Sequence, residues 1–118
     1  MKNLEIVTHE ELPQVRSLLL DPLVKLTFDA ELQEMKVSVT TTRTTATVQV
    51  EQTVPVSDLV HSARITDEGH VFPVLRAESF SVYISFDDLQ GYLTACELCG
   101  IEPDSEVYEN ARAAEAES

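Results

Sequence analysis

Hydrophobic positions along this chain follow two periods in turn. Near the N-terminus Leu12, Val15, Leu18 and Leu19 recur at helical intervals, and Thr8 with Glu11 has the spacing of a capping box. The pattern predicts a short helix over about residues 9 to 20, starting nearer Leu12 because of Pro13 and ended by Asp21-Pro22. From Val24 the period is two. Val24, Leu26, Phe28, Ala30 and Leu32 alternate with Lys25, Thr27, Asp29 and Glu31, as in a half-buried strand.

The apolar parity flips at Met35, Val37 and Val39, and again at Ala46, Val48 and Val50. Each flip implies a turn or a bulge. Antiparallel pairing of Leu32 with Met35, Ala30 with Val37 and Phe28 with Val39 gathers the apolar partners on one face. Pairing Val39 with Ala46, Val37 with Val48 and Met35 with Val50, around a loop at Thr41 to Thr44, does the same. A two-residue loop satisfies parity equally well, so parity fixes the face and leaves the register open. Neither loop has the glycine or asparagine that tight hairpins favour, and one long bulged strand is the alternative.

Asp67-Glu68-Gly69 marks a turn between strands at Ala63–Thr66 and Val71–Leu75, and Pro73 places the second of these at a sheet edge. Phe80, Val82, Ile84 and Phe86 alternate with Ser79, Ser81, Tyr83 and Ser85 in a last strand. A helix follows, capped by Asp87 or Ser85, with Leu89, Leu93, Cys96 and Tyr92 inward and Gly100 ending it. Beyond Pro103, a weak helix from Ser105 has only Val107 and Tyr108 to anchor it, and the last residues read as disordered. The expected fold is α+β: an antiparallel sheet of about five strands, a short N-terminal helix, a C-terminal helix and an acidic flexible tail. Residues 1–101 read as one domain and 102–118 as the tail.

Charge changes the picture. The chain of 118 residues has 8 basic and 21 acidic side chains, a net −13, which repels nucleic acid and favours basic protein partners. The distribution is uneven. Glu102, Asp104, Glu106, Glu109, Glu115 and Glu117 face only Arg112 in the tail, whereas the stretch from Pro22 to Thr66 is nearly neutral. Within it, Met35 to Val50 has Lys36, Arg43 and six threonines and no acid. No apolar run approaches the ~18 residues of a membrane span, and the acids of MKNLEIVTHEEL do not suit an export signal. The expected location is intracellular and cytoplasmic.

Candidate chemistry is sparse. Cys96 and Cys99 fall at the end of a helix, where the dipole opposes a thiolate, and His9, His61 and His70 are scattered, so neither a redox pair nor a metal site is expected. Asp87-Asp88 at a helix start reads as capping, not as an acid and base pair. The three glycines are isolated and form no phosphate loop. No enzyme and no cofactor are expected.

The acid-free strip fits the wet face of a sheet, for which threonine has high propensity. It also fits the chemistry that holds single-stranded nucleic acid: scattered cations, hydroxyl donors to phosphate and aromatic faces for stacking. On that reading Lys36, Arg43, Arg64 and Arg76 supply charge, Thr40, Thr42, Thr45 and Thr47 supply hydroxyls, and Phe72 and Tyr83 supply stacking surfaces. In arrangement, though not in motif, the chain is similar to acid-tailed single-stranded-DNA-binding proteins, which implies a tail that recruits replication or transcription proteins and competes with DNA. It departs from the bacterial members by ending in EAEAES, without terminal hydrophobic residues. The alternative is an acidic protein-binding inhibitor or nucleic-acid mimic that occupies a basic groove on an enzyme. An exposed edge strand also invites pairing between subunits as a homo-oligomer.

Overall fold

The computed structural model describes residues 6–21, 23–43 and 46–116. The chain divides into two compact units, Met1–Ser57 and Asp58–Ser118, so the boundary falls inside the stretch read as one domain.

The first unit is an antiparallel meander of five strands in the order β1 (Ile6–Thr8), β2 (Val15–Asp21), β3 (Val24–Asp29), β4 (Glu34–Arg43) and β5 (Ala46–Pro55). The expected N-terminal helix is absent: a turn follows β1, and β2 occupies its second half. Leu18 is fully buried while the adjacent Leu19 is 53% exposed, which is the alternation of a strand. Pairing of β2 with both β1 and β3 satisfies its backbone on two sides and overrides the helical spacing.

Parity selects the faces correctly, but the registers are shifted by an even number of positions. Phe28 lies opposite Met35, Leu26 opposite Val37 and Val24 opposite Val39. The reason is the turn. The Asp29 carboxylate accepts from the Glu31 and Leu32 N–H groups at 2.9 and 3.1 Å, and Gln33 takes the left-handed region at φ 53°. This closes the chain over Ala30–Gln33 without glycine and leaves Leu32 outside the strand, 63% exposed. Likewise β4 pairs with β5 through Met35 opposite Val54, Val39 opposite Val50 and Arg43 opposite Ala46, so the strands run past the expected loop at Thr41 to Thr44. Leu18, Leu26, Phe28, Met35 and Val54 are buried, and the register puts them all on one face.

The second unit has a three-stranded antiparallel sheet, β6 (Val60–Ile65), β7 (Val71–Ala77) and β8 (Val82–Ser85), followed by α1 (Leu89–Cys99) and α2 (Ser105–Ala116). The single sheet expected from sequence is therefore two. Pro73 lies on the central strand, not at an edge. It is tolerated because it lies opposite Phe86, one residue past β8: the Phe86 N–H donates to the Pro73 carbonyl at 2.9 Å, and only the reciprocal bond is missing. Gly69, at φ 84°, sits in the turn that sequence placed there.

Asp88, the neighbour of the expected cap, accepts from the Gly91 N–H at 2.8 Å, and Gly100 ends α1 at φ 68°. Both helices pack against β7. The stretch read as a flexible tail is α2: Val107 and Ala111 are buried, Asp104 caps it at 3.0 Å from the Val107 N–H, and Glu115 accepts from the Leu89 N–H at 2.9 Å. Its acids thus serve partly as caps within the fold.

Candidate nucleic-acid interface

Alternation along β6, β7 and β8 divides the second unit's sheet into two faces. His61, Leu75 and Ile84 form one cross-strand row, with Ala77 and Pro73 on the same side. This is the helix side, because the Tyr92 hydroxyl of α1 lies 2.8 Å from His61 Nδ1. The opposite face carries the rows Val60, Arg76, Tyr83 and Ser62, Val74, Ser85, and then the pair Arg64, Phe72. Four of the ten residues expected to bind nucleic acid therefore share one face, drawn from three strands.

Their contacts are specific. The Arg64 guanidinium carbon lies over the Phe72 ring, 4.6 Å from its centroid, while Arg64 Nε donates to Ser85 Oγ at 3.2 Å, so the cation is held from two strands. His70, in the β6–β7 turn, meets Phe72 edge-on at 6.4 Å. Tyr83 is 56% exposed beside Arg76. Arg76 Nη1 donates to Glu78 at 2.9 Å, whereas its Nε is buried without a hydrogen-bond partner. Val74, at the centre of the face, is fully buried.

Such a face offers planar groups at Arg64 and Tyr83, a second guanidinium at Arg76 that is already paired with Glu78, and hydroxyls at Ser62 and Ser85. Sequence reasoning put Tyr83 and Ser85 on the polar side of β8 but missed His70, whose only signal was its place beside the Gly69 turn. The acids of this unit lie mostly elsewhere: Asp87, Asp88, Glu97, Glu102, Asp104, Glu106, Glu109 and Glu115 belong to the helices and their flanks.

The threonine strip lies in the first unit. Lys36, Ser38 and Thr40 share a face of β4, and Thr47, Glu51 and Thr53 line the same side of β5. Lys36 Nζ lies 3.9 Å from Glu51 Oε2, so an acid just beyond the acid-free run meets its first cation. Thr42 and Arg43 are described through their backbone, in register with Thr47 and Ala46; Thr45 lies outside the described residues. On the same face His9 Nε2 lies 2.8 Å from Ser17 Oγ, which lies 3.3 Å from Thr27 Oγ1. Ser17 is buried, and the trio is a chain of hydroxyl contacts rather than an exposed nucleophile.

A second polar group lies under the helices. The Tyr92 hydroxyl accepts from the Asp104 N–H at 2.8 Å and shares a hydrogen with His61 Nδ1. Burial pushes its pKa up to about 12, and burial pushes the Cys96 thiol up to about 11. The thiol thus stays protonated at neutral pH, which suits packing better than redox chemistry. Among the described residues no group of three or more His, Cys, Asp and Glu is placed to hold a metal ion, and no helix is long and apolar enough to cross a membrane. Compared with protein-family models, curated proteins and solved structures, the chain matches none.

Proposed function

We propose that this protein binds single-stranded nucleic acid, without catalysing a reaction, through the face of β6–β8 opposite the helices. The observation that carries the reading is the gathering of Arg64, Phe72, Arg76 and Tyr83 on one face, with the Arg64 guanidinium held over Phe72 and Tyr83 exposed. Bases stack on aromatic rings and on guanidinium planes, and arginines neutralise phosphates. The net charge is compatible with this because most acids of the second unit belong to the helices and their flanks. Exposed Glu102, Glu106 and Glu109 then remain available to a basic protein partner, as an accessory factor in replication or transcription requires.

The net charge of −13 favours a second reading, an acidic inhibitor or nucleic-acid mimic seated in a basic groove. Titration of labelled single-stranded and duplex DNA at low and physiological salt separates the two. The first reading expects salt-sensitive binding of the single strand, weakened about tenfold or more by Tyr83→Ala, and a salt slope lowered by about one contact in Arg64→Ala. No binding of single-stranded DNA or RNA even at low salt sinks it.

A further inference from the structure

The first unit ends its meander on a long strand, β5, last in the sheet order. Strand β5 pairs with β4 on one side through the whole run from Ala46 to Pro55, and no described strand pairs with its other side. Natural edges are protected by lysines, bulges, prolines or brevity. β5 has none of these before Pro55: its register is unbroken, its single charge is Glu51, and Val50 stands 61% exposed in its middle.

We propose that β5 is a homodimer interface, on which a second copy of the chain adds its own β5 antiparallel, making one continuous sheet from two meanders. The sequence of the strand selects the register. A two-fold axis perpendicular to the sheet opposes residues of equal parity, so the buried face of each copy continues into that of the other. Centring the axis on Val50 pairs Ala46 with Val54, Thr47 with Thr53, position 48 with Gln52 and Glu51 with Gln49 of the partner. Centring it on residue 51 instead sets Glu51 against its own copy, a like-charge pair that destabilises. Centring it on residue 49 shortens the paired run to 46–52. Only the Val50 register is both long and free of charge opposition, and it sets Thr47 opposite Thr53 and Ala46 opposite Val54, with Val50 meeting its own copy on the axis. That self-complementarity identifies the occupant as a second copy. This interface lies in the other unit from the proposed nucleic-acid face and stands independently of it.

Two measurements on the full chain test the proposal. Opposed residues of an antiparallel pair have Cα atoms about 4.5–5.5 Å apart, within disulfide reach. Val50→Cys should therefore form a covalent dimer under mild oxidation roughly tenfold faster than Leu32→Cys, a control on the exposed β3–β4 turn. In sedimentation equilibrium the native chain should dimerise, and Val50→Lys should raise the dimer Kd about tenfold or more with an unchanged circular dichroism spectrum. If Val50→Lys fails to fold, the two cross-linking rates decide. A native chain that stays monomeric at its highest soluble concentration, a Val50→Lys dimer as tight as the native one, or equal cross-linking at positions 50 and 32 overturns the inference.

Discussion

The two units turn their chains by different means. All three glycines lie in the second unit, where Gly69 and Gly100 take left-handed backbone that costs them little. The first unit has none, and it closes β3 onto β4 with a carboxylate that binds two N–H groups and with a glutamine forced to positive φ. The second unit also covers one sheet face with its own helices and ties them together through Tyr92, whereas in the first β5 pairs with one strand only among the described residues. The comparison shows why alternation alone predicts the faces of the meander and not its pairing: in a hairpin without glycine, a side chain positions the turn.

The largest test is to empty one core at a time. Leu26→Ala in β3 and Leu98→Ala in α1 each remove a fully buried side chain and should each cost about 2–5 kcal/mol. Amide hydrogen exchange should show the loss confined to β2–β4 for the first and to β6–β8 and α1 for the second. Equal loss of protection throughout the chain in both variants would show that the units do not open separately.

A second test uses the groups whose ionisation is coupled to folding. Tyr92 and Cys96 both keep their protons to higher pH when folded, Tyr92 from 10.0 up to about 12 and Cys96 from 9.0 up to about 11, each mainly through burial. The unfolded chain gives up these protons first. Their contribution is therefore complete below about pH 9 and is lost as pH rises from there towards 12. Urea midpoints measured across that range should fall for the native chain and fall less for the double variant Tyr92→Phe, Cys96→Ala. Because both groups belong to the second unit, α1 amides should lose protection before those of β2–β4.

Much of the second unit was legible because its signals are local. The Asp67–Gly69 turn, the outward Tyr83 and Ser85, the inward Leu89, Tyr92 and Cys96 and the stop at Gly100 each follow from a few neighbouring residues. What was not legible depends on distant partners. Leu12, Val15, Leu18 and Leu19 have helical spacing, and only pairing with β1 and β3 makes Leu18 a strand residue. The acids after Glu102 read as a free tail because nothing in sequence shows that Glu115 caps a helix that starts 26 positions earlier. Pro73 reads as an edge residue until Phe86 is found just past the end of β8. For the site, parity put Tyr83 on a wet face, but only the order β6-β7-β8 brings Arg64, Phe72 and Arg76 to it.

A smaller effect sharpens the contrast in turns. Asp29→Ala removes the acceptor for two N–H groups and should destabilise the first unit by about 1 kcal/mol. Gly100→Ala should cost a similar ~1–2 kcal/mol for a different reason, since a Cβ there meets nothing within 4 Å and the cost is that of the backbone conformation alone. Asparagine should therefore recover part of the loss at both positions, as an acceptor at 29 and as a residue that tolerates positive φ at 100, whereas serine should help only at 29. Thermal midpoints of the six variants check this; serine rescue at position 100 would contradict the backbone account.

The smallest expected effect concerns Lys36, where the strip and the face separate. Its pair with Glu51 is long, at 3.9 Å, and both side chains are well exposed, so Lys36→Ala should change stability by less than about 0.5 kcal/mol. If nucleic acid binds on β6–β8, the same substitution should leave single-strand affinity and its salt slope unchanged, because the ammonium is screened and belongs to the first unit. Arg64→Ala should lower both. Side-by-side titrations of the two variants at low salt carry the comparison, since screening is weakest there and any contact by Lys36 is then at its strongest. A salt slope reduced by about one contact in Lys36→Ala, with Arg64→Ala like the native chain, would move the binding surface from the aromatic face back to the threonine strip.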